Sequence, residues 1–148
     1  MSEQKELERL NAARLQACGD TPARERLTRL FDEGTFVELD AFAAQTGSGV
    51  LTGYGEVDGA TVFAFSQNVC AEGGAVGKAQ AAKIVRLYDL AVKTGAPVLG
   101  IYDSKGGAIG EGNEILKAYA DILEKANNLS GVVPQVSLVL GVCGGVAA

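Results

Sequence analysis

At 148 residues, 47% of them apolar and 21% charged, the chain is long enough to bury one sizeable core and has the composition of a globular domain. A formal net charge of -5 excludes a broad basic face for nucleic acid, but not a local anion site. No apolar run reaches the length of a membrane span, and the charged N-terminus lacks the apolar stretch of a secretory signal. A soluble, cytoplasmic protein is therefore expected.

Ser2 to about Ala17 reads as an amphipathic helix, with Leu7, Leu10 and Leu15 on its apolar side. Gly19 suits a helix stop. Asp20 or Thr21, before Pro22, caps a second helix to about Phe31, whose apolar side carries Leu27, Leu30 and Phe31. Asp32-Glu33-Gly34-Thr35 gives a turn, and from Phe36 the hydrophobic period changes to two. Strands are expected at 36–40, 50–57 and 60–66, the last two joined by an Asp58-Gly59 hairpin turn. A Gly73-Gly74 loop then leads into a long helix, roughly Gly77 to Thr94. A strand at 97–102, a helix at 112–129 and a strand at 134–140 form a βαβ unit, which implies parallel pairing.

With few aromatics and no tryptophan, the core is expected to be aliphatic and rich in alanine. Cys18, Cys70 and Cys143 show no disulfide or zinc spacing and read as buried thiols in a reducing compartment. The sequence closes on Val146-Ala147-Ala148, where another helix is expected to begin. The expectation is that a partner supplies the remaining layer or that the chain is half of a longer protein.

Two glycine loops follow strands directly: Asp103-Ser104-Lys105-Gly106-Gly107-Ala108 and Gly141-Val142-Cys143-Gly144-Gly145. Without a Cβ, glycine lets a backbone N–H approach and face a ligand. Two such loops side by side can supply the donors of an oxyanion hole. The chain has no histidine, so its chemistry must rest on such donors and not on an imidazole base. Glu72-Gly73-Gly74-Ala75-Val76-Gly77-Lys78 is a second candidate: a helix N-terminus for a phosphate, with Lys78 as counter-charge. Lys105, beside the first loop, is a candidate cation for a carboxylate or phosphate. Each feature also has a plainer reading, glycine as a chain turn and lysine as a solvated surface charge. Asp103 is expected to cap the N–H groups of its own loop, Glu111 to serve structure more than chemistry, and Cys143 to act as a packing residue, since no base is present to activate its thiol.

Four stretches carry a family resemblance. They are Ala23-Arg24-Glu25-Arg26-Leu27 with Phe31 to Glu38; Phe65-Ser66-Gln67 with Gly73-Gly74 and Lys83-Ile84; Gly95-Ala96-Pro97-Val98 through Glu111-Gly112; and Tyr119-Ala120-Asp121-Ile122, Ser130 to Gln135 and Gly141 to Gly145. In this order, from about residue 22 to the end, they resemble the biotin-dependent acyl-CoA carboxyltransferases of the propionyl-CoA carboxylase and methylmalonyl-CoA decarboxylase type. The resemblance implies an α/β crotonase-like spiral of ββα units: a helical arm at 1–35, then part of an N-terminal carboxyltransferase domain at 36–148. It also implies oxyanion donors at Gly106, Gly107, Gly144 and Gly145, and coenzyme A contacts at Gly73, Gly74, Lys78 and Lys105. The substrate would be an acyl-CoA, with biotin arriving on a separate carrier protein and a complementary half-domain or a second copy completing the unit. One departure stands out. The family's first loop commonly reads Asp-Ser-Gly-Gly-Ala-Arg; an ungapped comparison puts Lys105 on the first glycine and Ala108 on the arginine, whereas a one-residue shift restores Gly106-Gly107-Ala108 and still leaves the arginine unmatched. A biotin-independent, malonate-decarboxylase-type subunit and a non-catalytic assembly module are the alternatives.

Overall fold

The computed structural model describes residues 19–41 and 49–145; the expected first helix and Cys18 lie outside them. Thr21 caps the first helix, α1 (Pro22–Leu30), its hydroxyl oxygen accepting the Arg24 N–H at 3.3 Å, with proline inside the first turn where no donor is lost. Strands β1 (Val37–Leu39), β2 (Val50–Val57) and β3 (Ala60–Gln67) form an antiparallel meander, and Asp58-Gly59 turns the hairpin. After a 3-10 turn at Glu72–Gly74 come α2 (Lys78–Thr94) and β4 (Val98–Ser104). A second 3-10 turn at Ile109–Glu111 precedes α3 (Glu114–Leu129) and β5 (Gln135–Cys143).

The five strands lie in chain order across one sheet, antiparallel from β1 to β3 and parallel from β3 to β5. The expected βαβ unit and its parallel register are present. Alternation along β3 sends Phe63 and Phe65 to one face and Ala64 to the other. On the first face they join Ile84, Leu87 and Tyr88 of α2 and Leu129 of α3. On the second face Ala64 and Ile101 receive Ala23, Leu27 and Phe31, so α1 is packed on the sheet and shares its core. The core is less purely aliphatic than expected. Phe65 meets Tyr102 edge to face with ring centroids 5.5 Å apart on the first face, and Phe31 stacks on Phe36 at 5.6 Å on the second. Strand β5 is the outlier: Val136, Leu138, Val139, Leu140 and Val142 are each between 40% and 61% exposed. Among the described residues nothing pairs with its outer edge.

Candidate active site

Because β4 and β5 run parallel as neighbours, both glycine loops emerge at the same end of the sheet, where open α/β sheets hold ligands. Ser104 pairs with Cys143 across the strands, and the Gly144 N–H donates to the Ser104 carbonyl at 3.0 Å. A Cβ placed on Gly144 would lie 2.7 Å from the Lys105 carbonyl oxygen, and one on Gly106 would lie 3.4 Å from the Gly144 oxygen. The loops therefore touch backbone to backbone, an approach that side chains would prevent.

The four loop glycines differ in how their amides are used. The Gly106 N–H donates to the Ser104 hydroxyl oxygen at 3.0 Å, and the Gly144 N–H is taken by the Ser104 carbonyl. Both are spent in holding the loops. Neither Gly107 nor Gly145 donates its N–H to any acceptor among the described residues. The turns that free them use φ of 114° at Gly106 and 66° at Gly145, conformations that favour glycine. Ser104, wholly buried, is a residue that sequence reasoning undervalued. Its signal was local: a hydroxyl two residues before a glycine amide is an ST-turn.

The Gly73-Gly74 turn supports this loop from below. Gly73 accepts the Lys105 N–H at 3.0 Å, and a Cβ on Gly73 would lie 2.6 Å from Cδ of the Lys105 side chain, which runs across it toward solvent. Gly73, Gly74 and Lys105 are thus gathered at the first loop. Lys78 is placed differently. The carboxylate of Glu111 accepts the Lys78 N–H at 2.7 Å, and Gln80 accepts the Gly77 N–H at 3.1 Å. The helix end suggested for a phosphate already holds an anion from the same chain, while the Lys78 ammonium stands 3.6 Å from Glu114. Glu111 has the structural role expected of it.

Asp103 does not cap its loop. Its carboxylate, 9% exposed, receives a hydrogen bond from Arg26 of α1 at 2.8 Å, and its N–H donates to the buried Gln67 side chain at 3.0 Å. The reason is direction. Asp103 follows Ile101 on the α1 face of β4, away from the loop amides. A register shift between β4 and β5 sets Gly141 against it, where a Cβ would fall 2.1 Å from the Asp103 Oδ1. The cysteines differ from expectation too: Cys70, in the loop after β3, is exposed, and Cys143, the last residue of the uncovered strand β5, is half-buried.

Behind the loops, between the sheet and α2 and α3, lies a cavity of about 250 Å³. Its walls include Phe65, Val76, Tyr102, Tyr119, Ser137 and Cys143. Burial pushes the Tyr102 and Tyr119 hydroxyls above their ordinary pKa, and nearby Cys143 adds to this in both, although a hydrogen bond with Ser137 pulls the other way at Tyr102. Both remain neutral donors at neutral pH. Among the described residues no helix is long and apolar enough to cross a membrane.

A mixed sheet whose parallel half ends in two touching glycine loops, backed by a cavity, defines a domain of the crotonase-like fold. The chain belongs to the carboxyl transferase domain family, which matches residues 15–148. It is 45% identical over 141 residues to the methylmalonyl-CoA decarboxylase alpha subunit of Veillonella parvula, covering 87% of this chain and 28% of the relative. To the propionyl-CoA carboxylase beta chain of Saccharopolyspora erythraea it is 45% identical over 145 residues, covering 90% of this chain and 27% of the relative. A crystal structure of the transcarboxylase 12S hexamer, with hydrolysed methylmalonyl-coenzyme A bound, superposes with a TM-score of 0.86 at 32% identity, covering 99% of this chain and 34% of that one. The chain thus spans little more than a quarter of the length of these curated relatives.

Proposed function

We propose that this chain binds an acyl-CoA thioester and stabilises its enolate while a carboxyl group moves to or from the α-carbon. The observation that carries this reading is the pair of unspent amides, Gly107 and Gly145, on loops in direct contact. Carboxyl transfer at that carbon passes through an enolate whose charge sits on the thioester oxygen. Two fixed N–H donors at that oxygen act where the charge develops, each worth on the order of 3 kcal/mol. Gly106 and Gly144 serve the same end indirectly, by fixing the loops through Ser104. Lys105, exposed beside the first loop, is the cation best placed for the anionic coenzyme, and Gly73 and Gly74 hold it there. Lys78, already facing Glu114, contributes only as a peripheral charge.

The carboxyl carrier implied by the family is biotin. Biotin would arrive on a separate carrier protein and be met by another chain or segment. The exposed apolar residues of β5 support a second copy, or a complementary carboxyltransferase chain, covering that strand.

Titration calorimetry with propionyl-CoA tests the reading: saturable binding to this chain is expected. Light scattering on the same sample is expected to give a mass above the 15.2 kDa of one chain. No heat of binding would count for the assembly-module alternative, and a stable monomer would remove the partner proposed for β5.

A further inference from the structure

Tyr119 stands out among the buried polar side chains. It lies on α3, is only 7% exposed, and its hydroxyl has no hydrogen-bond partner among the described residues. Buried hydroxyls are nearly always paired, because desolvation without a partner is costly. A phenylalanine would fill the same space without that cost. The position of the ring indicates what the hydroxyl is for. Its Cε2 edge lies 3.3 Å from where a Cβ on Gly107 would sit, and its oxygen lies 3.9 Å from the equivalent point on Gly145. The side chain thus spans the two glycines whose amides are unspent, and it also lines the cavity behind them.

We infer that the Tyr119 hydroxyl is a third donor at the oxyanion site, delivered from α3 to the point that Gly107 and Gly145 flank. The inference rests on the thioester reading above and extends it to a side chain. A short acyl chain entering the cavity would pass the ring, and the thioester oxygen would lie within the reach of the O–H. The arrangement also accounts for the glycine at position 107. At Gly107 a side chain would strike Ile115 and crowd the Tyr119 ring, closing the gap that the hydroxyl occupies.

The test compares the chain with its Tyr119→Phe variant, using propionyl-CoA and free coenzyme A as ligands. Free coenzyme A has the nucleotide and the pantetheine arm but no thioester oxygen. Loss of the O–H is expected to weaken propionyl-CoA about tenfold, as for one hydrogen bond, and to leave free coenzyme A unchanged. Chemical denaturation is expected to show the variant as stable as the parent or more so, since no internal hydrogen bond is lost. Equal propionyl-CoA affinity in the two chains, beside measurable binding by the parent, would overturn the role of Tyr119 and leave the thioester reading intact. No binding by the parent would overturn both. A loss of stability in the variant, or an equal weakening of both ligands, would show a structural hydroxyl and overturn the inference.

Discussion

Replacing Gly74 with alanine is expected to destabilise the fold by about 3–4 kcal/mol, the sum of a left-handed backbone penalty and a steric clash. Gly74 has φ of 71°, and its missing Cβ would lie 2.2 Å from the Asp103 carbonyl oxygen. The opposing atom is backbone of β4, where it turns into the first glycine loop, so no side chain can swing away. Gly95 supplies the control. Its φ is 70°, yet nothing lies within 4 Å of its missing Cβ. Gly95→Ala therefore isolates the backbone penalty, about 1–2 kcal/mol. Urea denaturation of both variants separates the two contributions. Equal losses would mean that Gly74 is needed only for its turn, and that the close approach of the 72–74 turn to β4 does not matter.

Arg26→Ala is the second large effect, expected to cost about 3 kcal/mol, the lower end of the range for breaking a buried ion pair. The lower end applies because Arg26 is 21% exposed and its charge is partly solvated, while Asp103 is 9% exposed. Removing the guanidinium leaves a carboxylate wedged against Gly141 with its partner gone. Arg29, on the same helix, pairs with Glu25 one turn away, but both side chains are mostly exposed. Arg29→Ala should change stability by less than about 0.5 kcal/mol. A similar small loss for Arg26→Ala would mean that the Asp103 carboxylate is held by something other than α1. Because Asp103 begins the first loop, the Arg26 variant should also loosen the glycine pair.

The sequence made the meander, the βαβ unit and the two loops legible because each rests on a local signal: alternation of period two, a proline-capped helix start, Asp58-Gly59, and glycine directly after an apolar strand. Helix α2 was expected to within a residue of its observed bounds. Strand β5 runs three residues past its expected end, to Cys143. Gly141 looked like the start of a loop, whereas it is a strand residue kept small for Asp103. That error is not local. Asp103 and Arg26 are 77 positions apart, and no periodicity links them. Sequence alone named four loop glycines and left open which of their amides donate. Which amides are spent depends on Ser104, and the local Ser-x-Gly pattern could have identified it. Tyr119 carried a family resemblance but no sign of its unpaired hydroxyl, since burial without a partner exists only after α3 packs beside both loops.

The proposed function depends on two main-chain amides sharing one oxygen. Amide nitrogen–proton spectra recorded while propionyl-CoA is added, with free coenzyme A as the reference, read those groups directly. The Gly107 and Gly145 resonances should move together with the thioester and stay in place with free coenzyme A, while Gly106 and Gly144, bonded to Ser104, shift little with either. Thioester-dependent movement confined to Gly106 and Gly144, or absent from all four, would contradict a shared oxyanion site at Gly107 and Gly145.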